Sequence, residues 1–188
     1  MASSAAAAAE GGSSAPESFA VVVKDLTFRY AKKAPSLKGV SLSLPLGSRT
    51  LLVGDNGAGK STLLKILSGS HLTPGNTITV LGKDSYFDTT LNQQRAYCAT
   101  DWGKRTVAFA GSDMPLMADI AVCEMMAALQ KEFRPRRDEL VALLGIDLDW
   151  RMHELSDGQR RRVQIMLQLL RPVKVLLLDE ITTVRGRL

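Results

Sequence analysis

The residues that most clearly predict chemistry form a glycine-rich run that ends in a lysine and two hydroxyl side chains. The run consists of Gly54, Asp55, Asn56, Gly57, Ala58, Gly59, Lys60, Ser61 and Thr62. It fits the spacing G-x-x-x-x-G-K-[ST] of a phosphate-binding loop, or P-loop. Glycines let the backbone curl until successive N–H groups face phosphate oxygens, and a helix that begins near Gly59 adds its positive dipole end. Lys60 then reaches the β- and γ-phosphates of a nucleotide, and the Ser61 hydroxyl can ligate Mg²⁺.

Two carboxylates follow an aliphatic run near the end of the chain. Residues 175–178 are Val-Leu-Leu-Leu, and Asp179 and Glu180 come next. Open α/β sheets bind ligands at the C-terminal ends of their parallel strands. We therefore predict that Asp179 holds Mg²⁺ through water and that Glu180 is the general base, with Lys60 as the second catalytic residue. Many core strands end in acidic residues, so this pattern gains its weight from the P-loop upstream.

Strands must lie at set places to bring these two segments together. Residues 51–53 form a short apolar run directly before the P-loop and predict a buried parallel strand. The other predicted strands are residues 19–23, 40–46, 77–81, 106–110 and 173–178. Residues 82–104 show no clear pattern and are predicted to be irregular.

Helices are predicted between these strands by apolar residues at helical spacing. They are residues 61–67, 120–133, 137–144 and 157–170. Gly69 stops the first helix, Pro135 separates the second from the third, and Pro172 ends the fourth. The alternation predicts an α/β fold with a mainly parallel sheet, and the early strands predict a small antiparallel β layer beside it.

The composition is that of a globular protein. The chain has 188 residues, of which 45% are hydrophobic, and a formal net charge of +5, which fits one domain with its own core. The densest basic run, residues 160–162, lies inside a predicted helix. A solvated helix face explains that run better than nucleic-acid binding does. The apolar runs are far shorter than the roughly 20 residues that cross a bilayer, so a membrane role would need a separate partner subunit.

Residues 1–18 differ in composition from the rest of the chain. Alanine, serine and glycine dominate them, and they lack the apolar core of a signal peptide. We predict a disordered tail there, with a plastid-targeting role as the weaker alternative, and ordered structure from Phe19.

A third motif points to a family. Its residues are Leu155, Ser156, Asp157, Gly158 and Gln159. They resemble LSGGQ, the signature of ABC (ATP-binding cassette) ATPases, and they precede the acidic strand by one short helix. An ordinary helix N-cap is the other interpretation of Ser156, and the two roles are compatible. The chain resembles the soluble proteins of the plant ABC transporter I group, which are similar to a fungal ABC ATPase associated with a transcription and deadenylation complex. The segments that carry the resemblance are residues 54–62, 107–111, 150–153, 156–164 and 173–182.

This resemblance implies a P-loop NTPase of the ABC type over residues 19–188, with a helical subdomain at about residues 112–160. It implies that the protein binds and hydrolyses ATP with Mg²⁺, and that Tyr30 stacks on adenine, although Tyr30 could instead be a core strand residue. It further implies a homo- or heterodimer in which residues 155–159 cap the ATP held by the P-loop of a second copy. A protein-complex partner and a cytoplasmic location are expected, with the nucleus or a plastid as alternatives.

The sequence departs from the family pattern at three places. Asp157 replaces the first glycine of LSGGQ. The family carries a glutamine after the strand predicted at residues 106–110, whereas none follows here and Gln130 lies too far along. After Thr182 the family continues into a dimer-contacting loop, another strand and further helices, so the domain is expected to be truncated and of low stability. Two other functions therefore stay open: a nucleotide-binding regulatory partner that does not hydrolyse ATP, and the cytoplasmic ATPase subunit of a membrane transporter.

Overall fold

The computed structural model describes residues 19–31, 34–73, 77–99, 107–109, 112–114 and 119–181. The predicted tail at residues 1–18 lies outside the described residues. Within the described ranges, no helix combines the length and the apolar character that a membrane span requires.

The N-terminal part of the fold is an antiparallel sheet. Its strands are β1 (Phe19–Arg29), β2 (Pro35–Pro45), β3 (Ile78–Val80) and β4 (Lys83–Asp84), in the order β2-β1-β3-β4. Every neighbouring pair in it is antiparallel. Val21 and Val23 of β1 are buried together with Ile78 and Val80 of β3, as alternate residues on one face of a sheet must be. The predicted antiparallel layer is confirmed.

A parallel pair of strands lies across the core from this sheet. Strand β5 (Arg95–Ala99) pairs in parallel with β8 (Val175–Asp179), and Ala99 stands opposite Asp179. Helix α1 (Lys60–Leu67) packs its buried residues Leu63, Ile66 and Leu67 into the cluster that holds the inner faces of β1, β3 and β8. Helix, antiparallel sheet and parallel pair therefore share one hydrophobic core, and the predicted α/β class is confirmed.

The rest of the chain builds a second, helical core. Its elements are a 3₁₀ helix (Val122–Glu124), α2 (Ala127–Glu132), α3 (Arg134–Leu144) and α4 (Asp157–Leu169). The buried members of this second cluster are Val122, Leu140, Ile146, Met152, Leu155, Val163, Met166, Leu167 and Leu170. Pro135 sits in the first turn of α3, where a missing backbone N–H costs nothing.

The helix predicted at residues 120–133 is broken in the structure. Met126 adopts a left-handed backbone with φ 52° directly before α2. The buried Gln130 side chain explains the break, because its Nε2 donates to the carbonyls of Val122 (2.7 Å) and Met125 (2.6 Å). A side chain thus binds carbonyls that a continuous helix would have bonded internally.

One strand prediction was wrong. Residues 51–53 are not a strand, and Leu51 and Val53 are 86% and 80% exposed; an apolar run forms a strand only where a neighbour bonds its backbone. The strand predicted at residues 106–110 is confirmed for residues 107–109, where β6 (Val107–Phe109) pairs antiparallel with β7 (Ser112–Met114). Thr106 and Ala110 lie outside the described residues.

The strand beside β8 comes from the segment predicted to be irregular. That segment contains β4, a 3₁₀ helix (Thr89–Gln93) and β5. Strand β5 begins with a buried arginine, Arg95, whose Nη1 donates to the carbonyls of Leu67 (2.7 Å) and Ser85 (3.0 Å). Desolvation lowers the pKa of this guanidinium. The carbonyls that allow Arg95 to be buried come from two distant segments. The sequence of β5 alone therefore could not reveal that it is a buried strand.

The two cysteines are expected to differ sharply in reactivity. Cys98 in β5 is 1% exposed, and desolvation, slightly offset by Arg161, raises the pKa of its thiol to about 11. Cys123 is exposed. Since the thiolate is the reactive form, a thiol reagent at mildly alkaline pH should modify Cys123 alone in the folded protein and both residues in denaturant, as counted by mass spectrometry. A folded Cys123→Ser variant should take up no label, and rapid labelling of that variant would contradict the buried position of Cys98.

Candidate functional site

The P-loop connects residues 51–53, which are neither helix nor strand, to the first turn of α1. Gly57 and Gly59 have φ angles of 85° and 94°, which L side chains adopt only with strain. Gly59 is the N-cap of α1, and its carbonyl accepts from Leu63 N at 2.9 Å. A Cβ atom at Gly59 would lie 2.6 Å from the Ser36 carbonyl oxygen of β2. The glycine therefore lets the helix start lie directly against the antiparallel sheet.

Lys60 folds back over the loop that precedes it. Its Nζ donates to the carbonyls of Gly54 (2.6 Å) and Asp55 (2.8 Å). An ammonium group has three donors, so two are used on loop carbonyls. The positive charge of Lys60 consequently lies beside the loop that leads into α1. The Lys60 charge and the backbone N–H groups at the helix start both favour an anion there.

The structure brings Ser61 and Asp179 together across 118 residues of sequence. Ser61 Oγ donates to Asp179 Oδ1 at 3.0 Å, and Asp179 is 9% exposed. A hydroxyl and a carboxylate are both hard oxygen donors, the type that Mg²⁺ prefers, and Mg²⁺ commonly takes only one or two ligands from protein and the rest from phosphate and water. The pair fits that ion. No group of three or more His, Cys, Asp or Glu residues that could hold a metal occurs in the described ranges, so a metal cage built from such side chains is not found there.

Glu180 follows the last residue of β8 and is exposed. Its backbone is left-handed, with φ 50°, a conformation that costs energy for any residue except glycine. The turn at Glu180 ends the strand directly after Asp179. The two predicted acidic residues therefore differ in environment, with Asp179 buried against α1 and Glu180 open to solvent.

Three aromatic rings form a cluster beside the start of α1. Tyr30 Oη lies 3.4 Å from Thr62 Oγ1 and 3.2 Å from His71 Nε2. The His71 ring stacks on Phe28 at 5.6 Å and meets Tyr30 edge-on at 5.2 Å. The predicted aromatic residue is thus tied to the P-loop helix. Sequence reasoning missed His71, since nothing local in the sequence links it to Tyr30, 41 residues earlier.

The signature segment begins α4. Ser156 is the N-cap: its Oγ accepts from Gln159 N at 3.3 Å, while Gln159 Oε1 accepts from Ser156 N at 3.0 Å, which is a capping box. The N-cap interpretation of Ser156 is therefore confirmed. Asp157 lies in the first turn, where a negative charge favours the helix dipole. Apart from its chain neighbours and its own helix backbone, no atom of the described residues lies within 4 Å of a Cβ built on Gly158, so this glycine faces open space among them.

Two further residues connect α4 to the parallel pair of strands β5 and β8, and sequence analysis missed both. Arg161 Nη1 and Gln164 Nε2 donate to the carbonyl of Ala99, at 2.6 and 2.9 Å. Arg161 Nη1 also donates to Gln164 Oε1 at 2.6 Å. Gln164 is 2% exposed, and Ala99 pairs with Asp179. The basic run at residues 160–162 is therefore partly an internal contact and not only a solvated helix face.

Comparison with known proteins agrees with this arrangement. The sequence model of the ABC transporter family matches residues 37–183. ABC transporter I family member 20 of Arabidopsis thaliana is 47% identical over 150 residues, which cover 79% of this chain and 45% of that protein. CCR4-associated factor 16 of Saccharomyces cerevisiae is 42% identical over 174 residues, covering 87% of this chain and 60% of that protein. The chain thus spans about half the length of these two curated relatives.

A solved structure supports the same comparison. The structure of cbiO1 from Clostridium perfringens, described as part of the ABC transporter complex cbiONQ, matches with a TM-score of 0.66 at 26% identity. The match covers 87% of this chain and 66% of that chain.

Substitution of the two P-loop glycines should separate backbone strain from steric contact. Gly57→Ala and Gly59→Ala both force a left-handed alanine, at a cost of about 1–2 kcal/mol. The new Cβ at Gly59 meets the Ser36 carbonyl of the backbone, whereas at Gly57 no atom of the described residues other than its chain neighbours lies within 4 Å. We expect Gly59→Ala to lose about 1–3 kcal/mol more of the free energy of unfolding than Gly57→Ala, measured by urea denaturation. Equal losses would mean that the helix start does not press on β2.

Proposed function

Because the chain belongs to the ABC transporter family, we propose that it binds ATP with Mg²⁺ and hydrolyses it to ADP and phosphate. One observation carries the proposal. The hydroxyl that follows the P-loop lysine and the carboxylate at the end of β8 lie 3.0 Å apart, although neither position has a local reason to approach the other. Phosphoryl chemistry needs both groups at one place.

Each residue has a distinct part in this proposal. The P-loop, residues 54–62, holds the phosphates through its backbone N–H groups, and the Lys60 ammonium neutralises charge on the transferring phosphate. Ser61 and Asp179 hold Mg²⁺, which supplies charge neutralisation and orientation when bound. The Glu180 carboxylate takes a proton from the attacking water as the new oxygen–phosphorus bond forms and the bond from the γ-phosphorus to the bridging oxygen breaks, so that ADP leaves with that oxygen. Its open position at the end of β8 leaves space for that water.

Tyr30 has the role of holding the base. Its ring lies beside the start of α1 and is bonded to Thr62 and His71, so its plane is fixed before a nucleotide arrives. An ordered aromatic face loses little conformational freedom on stacking, which favours a role in binding over one in packing alone.

The active unit in this proposal is a dimer of two domains. We propose one ABC-type domain over residues 19–188 with a helical subdomain at about residues 112–160, since the P-loop and the signature helix belong to different hydrophobic clusters. Leu155, Ser156, Asp157, Gly158 and Gln159 then cap the nucleotide of a second copy. The open space at Gly158, in the first turn of a 13-residue helix, supports that role.

Nucleotide binding should depend on Lys60, and turnover should depend on Glu180. Lys60→Ala removes a charge-assisted donor, so the affinity for Mg·ATP should fall by about 10-fold or more; Lys38→Ala, on the exposed face of β2, is the matched control. Glu180→Gln should bind Mg·ATP normally but release phosphate about 100-fold more slowly or worse. Fluorescent-nucleotide titration and a phosphate-release assay measure the two effects. Tight binding by Lys60→Ala would overturn the P-loop assignment, and binding without any release by the unmodified chain would favour a regulatory nucleotide-binding partner.

Mixing two inactive variants should test whether the signature acts on a second copy. Lys60→Ala destroys the P-loop and leaves residues 155–159 intact, whereas Gly158→Asp places a negative charge in the signature and leaves the P-loop intact. A mixed dimer holds one site made of the two intact halves, so phosphate release should reappear when the variants are combined. Each variant alone at the same total concentration is the control. No recovery on mixing, or full activity of Gly158→Asp by itself, would refute a shared site.

A further inference from the structure

A tyrosine that the proposed function does not use binds the second oxygen of Asp179. Tyr97 lies in β5, opposite Leu177 of β8, and its ring packs partly buried against the first hydrophobic cluster. From there its hydroxyl donates to Asp179 Oδ2 at 3.0 Å. The other oxygen, Oδ1, accepts from Ser61 Oγ, also at 3.0 Å. The carboxylate is therefore held from two sides by two different elements, β5 and α1.

Two donors on separate oxygens determine the orientation of a carboxylate. The terminal torsion of aspartate is broad and roughly two-fold, so a carboxylate with a single partner can turn about its Cβ–Cγ bond. Bonds to an ionised oxygen are stronger than neutral ones, and both donors here come from side chains anchored in the core. The Tyr97 ring is fixed by β-sheet packing and brings its hydroxyl along the strand to the residue that ends β8.

We propose that Tyr97 is a positioning residue for the Mg²⁺ site. By binding Oδ2 of Asp179, the Tyr97 hydroxyl keeps Oδ1 beside Ser61 Oγ. Asp179 Oδ1 and Ser61 Oγ then lie side by side as ligands for a metal ion. This inference rests on the proposed function, because it assigns Tyr97 a role only if Asp179 and Ser61 hold Mg²⁺. A merely structural tyrosine would contribute to stability in the same way whether or not a metal is present, and that difference makes the proposal testable.

The test is the Mg²⁺ dependence of nucleotide affinity. A fluorescent ATP analogue is titrated into the full chain with Mg²⁺ and again with EDTA, and the ratio of the two dissociation constants is the readout. Tyr97→Phe keeps the ring and removes only the hydroxyl. Tyr86→Phe removes the hydroxyl of an exposed tyrosine in the loop after β4 and is the matched control. We expect Tyr97→Phe to weaken binding by about 3- to 10-fold with Mg²⁺ and to leave the EDTA value unchanged.

A double-mutant cycle shows whether Tyr97 acts through Asp179. In an Asp179→Asn background, Tyr97→Phe should change the Mg²⁺ ratio no further, because the oriented carboxylate is already absent. Thermal unfolding of each variant is measured beside binding, so that loss of fold is seen directly. An unchanged ratio in Tyr97→Phe, or equal weakening with Mg²⁺ and with EDTA, would overturn the positioning role.

The outcomes also separate this inference from the proposed function. If the unmodified chain binds nucleotide equally well with Mg²⁺ and with EDTA, the metal site itself is wrong and the role of Tyr97 falls with it. If the unmodified chain shows a Mg²⁺ effect that Tyr97→Phe keeps in full, only the role of Tyr97 is wrong.

Discussion

The contact between Ser61 and Asp179 is the constraint on which the rest of the arrangement depends. It joins the first turn of α1 to the end of β8, so both elements must be fixed in direction as well as position. Helix α1 is fixed by three apolar side chains in the first cluster and by the buried guanidinium of Arg95 beneath its C-terminal carbonyl at Leu67. A cation at that end of a helix also favours the dipole. The helix that follows the P-loop is thus held at its first turn by Asp179 and at its last residue by Arg95, both distant in sequence.

Strand β5 extends this constraint from the Asp179 carboxylate to α4. It pairs with β8 along its length, it carries the Tyr97 hydroxyl that binds Asp179, and its last carbonyl, at Ala99, accepts bonds from α4. Because Arg95 of β5 also donates to the Leu67 carbonyl of α1, one short strand contacts the three elements α1, α4 and β8, which carry proposed functional residues. Burial of β5 costs free energy because the strand begins with the charged Arg95. The carbonyls of Leu67 and Ser85 offset that cost by accepting hydrogen bonds from its guanidinium.

The features that the sequence predicted well are those set by local chemistry. The P-loop glycines, the start of α1 and the N-cap at Ser156 each depend on residues within a few positions of one another. Strand β5 and the ring of His71 could not be found, because their partners are 10 to 82 residues away and only the fold brings them together. The strand prediction for residues 51–53 was wrong for the opposite reason. The apolar pattern was present, but a strand needs a neighbour that pairs with its backbone. These residues are exposed and have no such neighbour in the described part of the chain.

The same contacts bear on the missing glutamine. The family resemblance leads one to expect a glutamine after the strand predicted at residues 106–110, yet residues 100–118 contain none. A glutamine does reach the end of another strand, β5, which pairs with β8: Gln164 of α4, together with Arg161, binds the Ala99 carbonyl. Since Gln164 is almost fully buried, α4 cannot shift without breaking these bonds or moving the end of β5. Ala99 is paired with Asp179, so the bonds from Arg161 and Gln164 connect α4 through the end of β5 to the Asp179 carboxylate.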